Sequence, residues 1–278
     1  ADGGKLWDQL LGGSASKLRF VKGDILDAAK LGDVFDQHAI SHVIHLAGVL
    51  TPVCQKNPYR GCEINVLGTV RVFDAVRARL QSVRGFSYAS SFAAHGPGPG
   101  AGIPEYAQSD PPTFYGAFKK AVELIARQYG KHYGVPSIGI RPFVVYGPGR
   151  ESGLTAAPSL AAKAVAENKP FKIGFSGGIG LEFVEDVARA FVRGALNTPD
   201  GSLVVDMPGQ QVPVNAIIDT LERISPGAAG LLSSGGPLVP VSVASSPLLM
   251  IQVFPDWHAT SLEEGLRRTV DFYRQQLV

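Results

Sequence analysis

The sequence predicts an α/β fold on a doubly wound parallel sheet with a smaller C-terminal lobe, and three observations lead to it. From about residue 18, short β-branched runs alternate with longer stretches of helical periodicity, the pattern of βαβ units whose sheet is covered on both faces. The chain has 278 residues and is 45% hydrophobic, enough to bury a large core and too apolar for a disordered chain. Beyond residue 150 the alternation weakens and Gly and Pro rise, so residues 1–150 are predicted as the main domain and 151–278 as a smaller α/β lobe with segments returning to it.

Taken in order, residues 18–25 (LRFVKGDI) read as a strand, 27–38 as a helix and 42–48 (HVIHLAG) as the next strand. A helix over 65–80 rests on Val66, Val70, Phe73, Val76 and Leu80, which recur at three- and four-residue spacing. Residues 86–89 are predicted as a strand, 113–133 as a long helix and 137–145 as one further strand, closed by the GPGR turn at 147–150. In the second lobe, APSLAAK and SSGGPL read as loops and short helices. The last element, 262–277, has Thr260 or Ser261 as candidate N-cap and Glu263 and Glu264 in its first turn, where negative charge suits the helix dipole.

Composition narrows the partners. A formal charge of +2 with 18% charged residues and no basic run gives no footprint for nucleic acid or a membrane surface, so a small molecule is the expected partner. Cys54 and Cys62 have no His or further Cys at metal-ligand spacing, which suggests neither a disulfide framework nor zinc and fits a reducing, cytoplasmic setting. His38, His42, His45 and His258 form no metal-binding pair, so no metal is expected. Cys54, with no adjacent base or cation in sequence, is expected to fill space rather than attack a substrate. No apolar run reaches 18 residues and the N-terminal segment lacks signal-peptide zones, so a soluble protein is expected.

The chemistry concentrates at Tyr115 and Lys119. Their i, i+4 spacing at a helix start puts phenol and ammonium on one face, and a nearby cation favours the ionised phenol, drawing its pKa of about 10 toward working pH. Such a Tyr can serve as general acid or base on an alcohol or ketone. The plain alternative is a surface helix that carries one aromatic and one basic residue. Against it stands Ser91, at the end of a predicted strand and 24 residues before Tyr115, where doubly wound sheets bind ligands and a hydroxyl could steady a substrate oxygen.

The pair Ser91 and Tyr115-Gly-Ala-Phe-Lys119 resembles the extended short-chain dehydrogenases, the superfamily of NAD-dependent epimerases and dehydratases. Further segments match in family order: Gly23-Asp24-Ile25, His45-Leu46-Ala47-Gly48, Asn65, Ser91 to Gly96, Arg141-Pro142-Phe143-Val144-Val145-Tyr146-Gly147-Pro148, Glu185 to Ala188 and Thr260 to Gly265. The resemblance implies a Rossmann-like core, the catalytic set Ser91, Tyr115 and Lys119, and NAD or NADP as cofactor, NAD being favoured. It implies cofactor contacts at Asp24, Ile25, Leu46, Ala47, Gly48, Asn65, Tyr115, Lys119, Pro142 and Phe143. Substrate contacts are expected at Ser91, Phe92, His95, Val144, Arg150 and Thr155, with Leu154 in the same loop. His95 could touch substrate or shuttle a proton, or it could be structural; Arg150 and Thr155 could equally belong to an ordinary loop. A homodimer through helices near 65–80 and 113–133 is implied as well.

Two departures from the family pattern matter. The glycine-rich turn that cradles the pyrophosphate is not present in this sequence, so the core is expected to be N-terminally truncated, and the residue that selects NAD over NADP falls outside it. Val144 stands where many nucleotide-sugar enzymes place an Asn, which weakens the expectation of a nucleotide-sugar substrate. The implied activity is hydride transfer at a hydroxyl or keto carbon of a sugar-like or other small polar substrate, by epimerisation or dehydrogenation; Phe92 and Ala93, in place of an acidic pair, disfavour dehydration. The alternative is a non-catalytic binding or regulatory relative.

Overall fold

The computed structural model describes residues 11–96, 110–153, 155–239 and 248–277. Its strands are β1 (His42–His45), β2 (Gly85–Ala89), β3 (Ser137–Arg141), β4 (Val144–Tyr146), β5 (Phe171–Ile173), β6 (Ser176–Phe183), β7 (Ser202–Asp206), β8 (Gln210–Pro213), β9 (Leu232–Ser234) and β10 (Leu238–Val239). The helices are α1 (Ala28–Gln37), α2 (Thr51–Lys56), α3 (Pro58–Cys62), α4 (Thr69–Arg77), α5 (Phe114–Tyr133), α6 (Ala157–Ala166), α7 (Val184–Leu196), α8 (Val214–Ile224), α9 (Leu248–Val253) and α10 (Leu262–Arg274).

The main sheet runs β1-β2-β3-β7, all parallel. One face buries Phe73, Val76, Phe86, Tyr88, Val122 and Ala126 under α4 and α5. The other buries Ile138, Ile140, Ala190, Phe191, Val205 and Met250 under α7 and α9. Both faces are therefore covered, as the sequence predicts. β7 and α7 come from beyond residue 150, so the later half of the chain supplies an edge strand and one covering helix of this sheet. A second sheet places β6 between β4 and β10, with β8 antiparallel on β6. Its core holds Ile173, Phe183, Ile217, Leu221 and Leu266.

Local signals explain the helix ends. Asp27 caps α1 by accepting from the Lys30 N–H at 2.9 Å. Thr113 caps α5 by accepting from the Gly116 N–H at 3.0 Å, and Gly134 ends that helix at φ +66°. Of the two candidate caps of α10 it is Ser261 that accepts, from the Glu264 N–H; Thr260 instead donates its N–H and hydroxyl to Asp186 on α7, at 2.7 and 2.9 Å. Thr113→Ala should cost about 1 kcal/mol, read as a lower urea midpoint at unchanged slope; an unmoved midpoint would show that the hydroxyl does not hold α5.

Four sequence expectations are corrected. Residues 18–25 form no strand, and Leu18 and Phe20 are 57% and 83% exposed. A strand needs a ladder partner, and among the described residues no strand pairs with the outer edge of β1 or with this segment. The predicted strand over 137–145 is two strands: Pro142 lacks an N–H, and around it the chain leaves the main sheet as β3 and enters the second as β4. The helix predicted from 65 begins at Pro58, capped by Asn57, and passes through a wide π-turn over Glu63–Gly68 before α4. SSGGPL is not a loop or short helix throughout, since Ser233 and Ser234 belong to β9, paired with β5, and Leu238 to β10, whereas APSLAAK lies in the helix α6, with Ala157, Ala161 and Ala162 buried.

His45, at the end of β1, is buried with its Nε2 2.9 Å from the Thr69 hydroxyl. Burial, assisted by the Lys119 charge, pushes its pKa down to about 4. Between pH 6.5 and 4 the unfolded chain takes up a proton that the folded chain refuses. Stability is therefore expected to fall as pH drops through this window, by up to about 3 kcal/mol. Urea unfolding of wild type and His45→Gln across that range checks it: the variant should lose this part of the slope.

Candidate active site

A cleft of about 540 Å³ opens where β2 and β3 end and the chain crosses to β4, the position at which doubly wound sheets bind ligands. Ser91, Tyr115 and Lys119 all line it. They come together because the first turn of α5 sits directly on the 3₁₀ turn Phe92–Ala94: a Cβ on Gly116 would come within 2.1 Å of the Ala93 carbonyl oxygen. Only glycine permits that approach. The Ser91 hydroxyl accepts from the Ala93 N–H at 3.2 Å, and Lys119 Nζ donates to the Ala89 carbonyl at 2.6 Å while lying 5.6 Å from the centre of the Tyr115 ring.

Burial dominates the electrostatics. It pushes the Lys119 ammonium down to about 8, with Cys54 and Glu123 pulling the other way. It also pushes the Tyr115 phenol up, against the pull of the Ser91 hydroxyl and the Arg150 charge. The expectation that Lys119 draws the phenol down is thus not met in this structure; the ammonium is turned to the Ala89 carbonyl.

Among the predicted cofactor contacts, Leu46, Gly48, Pro142 and Phe143 line the cleft together with Tyr115 and Lys119. Asn65 lies behind Gly48 and braces the loop after β1, accepting from the Val49 N–H at 2.7 Å and donating to the Val49 carbonyl at 2.9 Å. Ala47, Asp24 and Ile25 do not reach the cleft. The Asp24 carboxylate turns back to the Leu26 N–H at 2.9 Å, and Ile25 packs against Gly68.

Among the predicted substrate contacts, Val144, Arg150 and Thr155 line the cleft with Ser91, whereas Phe92 and His95 do not. The chain turns inward after Ser91. Phe92 is buried and stacked on Phe143, ring centres 3.5 Å apart, and His95 Nε2 lies 2.8 Å from Asp206 and 3.2 Å from Arg141. Leu154 and most of the stretch from Gly96 to Gly102 fall outside the described residues.

Sequence reasoning missed Val49, Leu50, Val187 and Phe191 in the walls. The last two come from α7, and a single sequence does not tell which face of a late helix looks into a cleft. It also missed a buried network beneath the site. Glu123 takes a hydrogen bond from Ser90 and is gripped by Arg141 through Nε and Nη2, each at 2.6 Å, while Arg141 Nη1 reaches Asp206 at 3.2 Å. The signal was present: Tyr115, Lys119 and Glu123 repeat at four-residue spacing along one face of α5.

The residues fit a nicotinamide nucleotide. The lining offers a phenol and an ammonium together with the apolar Leu46, Pro142 and Phe143, and the backbone at Gly48 is bare, where a Cβ would come 3.0 Å from Asn65 Oδ1.

Comparison with known proteins agrees. The model of the NAD dependent epimerase/dehydratase family matches residues 6–204. The UDP-glucuronate 4-epimerase of Thermodesulfobacterium geofontis is 28% identical over 273 residues, spanning 95% of this chain and 81% of that protein. The structure of UDP-glucose 4-epimerase from Brucella ovis with NAD superposes with a TM-score of 0.74 at 22% identity, covering 92% of this chain and 85% of that one. RMD from Pseudomonas aeruginosa, complexed with NADPH, gives 0.77 at 25% identity, covering 92% and 88%. The chain belongs to the NAD-dependent epimerase/dehydratase family and is an NAD(P)-dependent enzyme of the epimerase and oxidoreductase class. Among the described residues, no helix is long and apolar enough to cross a membrane.

Proposed function

We propose that this enzyme interconverts a hydroxyl and a keto group on a small sugar-like substrate, with Tyr115 as general acid and base. The reading is carried by one observation, the convergence of Ser91, Tyr115 and Lys119 on the cleft at the strand ends. Tyr115 takes the proton of a substrate hydroxyl or returns one to a carbonyl oxygen. Ser91 orients that oxygen, and Lys119 holds the ribose side of the cofactor. The nicotinamide, when bound, supplies hydride exchange at the adjacent carbon. Leu46, Gly48, Pro142 and Phe143 would hold it, with Asn65 fixing the loop between β1 and α2. Residues 1–150 carry the cofactor and the proton chemistry, and 151–278 shape the substrate side. NAD is the favoured cofactor. Epimerisation and net dehydrogenation use the same three side chains.

The protein is further proposed to act in the cytoplasm as a homodimer. Free thiols at Cys54 and Cys62 support the first. Exposed Tyr59, Leu67, Phe114 and Leu124 on or beside the helices expected at the interface support the second, and a monomeric mass in solution scattering would reject it.

Calorimetric titration with NAD+ and, separately, NADP+ tests the proposal. Binding of one dinucleotide, weakened at least tenfold by Lys119→Met, is expected. A folded chain that binds neither rules the reading out.

A further inference from the structure

The reaction proposed above uses Lys119 but leaves the second cation of the cleft without a task. Arg150 follows the turn after β4 and faces the same cavity as Tyr115 and Thr155. Its Nε is shut away from solvent and has no hydrogen-bond partner. The neighbouring carboxylate, Glu151, pairs with Lys163 at 3.0 Å instead. Gly153 and Leu50 flank the guanidinium, a Cβ added at Gly153 lying 3.2 Å from Arg150 Nη2 and 3.7 Å from Leu50 Cδ1.

An unsatisfied buried donor is costly, more so on a charged group. Leu50, which lies beside the guanidinium, carries no side-chain acceptor, nor do Phe143 and Val144 elsewhere in the cleft lining. An acceptor delivered by a ligand relieves the cost, and the planar fork of an arginine matches the two oxygens of a carboxylate or a phosphate. Thr155 adds a hydroxyl on the same wall.

We propose that Arg150 receives an oxyanion of the substrate, a carboxylate or a phosphate, and thereby selects which hydroxyl or keto compounds reach Tyr115. The inference rests on the redox reading of the cleft. It gives the loop after β4 a recognition role that Val144, whose side chain has no polar atom, cannot fill.

Calorimetry on the full chain, with and without NAD+, tests it with D-glucuronate as the carboxylate probe, inorganic phosphate as the phosphate probe and D-glucose as the neutral control. At least one oxyanion should bind ten or more times more tightly than glucose. Arg150→Met should weaken it at least tenfold, and Arg150→Lys, which keeps the charge without the fork, by less. Dependence on Arg150 for glucuronate alone assigns a carboxylate; dependence for phosphate alone assigns a phosphoryl group. Binding of neither probe overturns the proposal, as does glucose binding equally well. Oxyanion binding that ignores both substitutions overturns it too, and Arg150→Lys keeps the test open should Arg150→Met not fold. A chain that binds oxyanions through Arg150 but neither dinucleotide sustains this inference and sinks the redox reading; the reverse result does the opposite.

Discussion

Tyr115→Phe is expected to lower turnover by about 10²–10⁴-fold, the usual contribution of a positioned acid or base, while leaving the fold and dinucleotide binding in place. The substitution removes one oxygen from a side chain that is anchored by α5 and lines the cleft. Packing around the ring is kept, because the close seat of α5 on the 3₁₀ turn depends on Gly116 and not on the hydroxyl. Since burial holds the phenol above its ordinary value, the hydroxyl carries its proton at neutral pH and is poised as an acid toward a carbonyl oxygen. The rate of the reverse direction, which needs the ionised phenol, should rise with pH. Steady-state rates of wild type and variant on any substrate that the wild type converts, with unfolding curves alongside, decide the matter. A variant that turns over at the wild-type rate removes Tyr115 from the chemistry.

The largest effect on stability is expected at Arg141. Arg141→Met strips the partner from Glu123, whose side chain is 4% exposed, and loosens Asp206, whose side chain is 15% exposed. Leaving a buried charge uncompensated costs about 3–5 kcal/mol. The double variant Arg141→Met with Glu123→Leu should recover much of that loss, since removing both partners also removes the unpaired charge. Urea unfolding of the two singles and the double measures the coupling. A cost below about 1 kcal/mol for Arg141→Met would place the pair among weak surface ion pairs and refute the account. The same variant should also reduce kcat, because Ser90, tied to Glu123, is the chain neighbour of Ser91.

These two residues also mark what a single sequence discloses. The Tyr115 to Lys119 spacing, Ser91 at a strand end and the alternation of strands with helices are local patterns, and each reflects a local physical cause: helix geometry, strand termination, burial on two faces. The caps at Asp27, Thr113 and Ser261 are equally local. The network around Arg141 joins positions 90, 95, 123, 141 and 206, which no periodicity connects. The family resemblance implies substrate contacts at Phe92 and His95, with a structural role for His95 as the alternative, and the 3₁₀ turn after Ser91 leaves both out of the cleft lining. Residues 18–25 have strand-like composition, but composition cannot supply a neighbouring strand, and among the described residues no strand pairs with the segment. The break at Pro142 had a local signal, a proline inside an apolar run; its meaning, a change of sheet, depends on β6, whose partner segment begins more than thirty residues later.

That change of sheet bears on how such an enzyme diversifies. Two residues, Pro142 and Phe143, separate the strand that belongs to the proton-handling half from the strand that belongs to the lobe beyond it. Insertions and substitutions in the loops that follow β4 alter what fills the outer half of the cleft without touching the ladder that fixes Ser91 or the helix that carries Tyr115 and Lys119. A lineage built this way can trade one substrate for another while its reaction stays constant, so relatives should differ most after Tyr146 and least along α5.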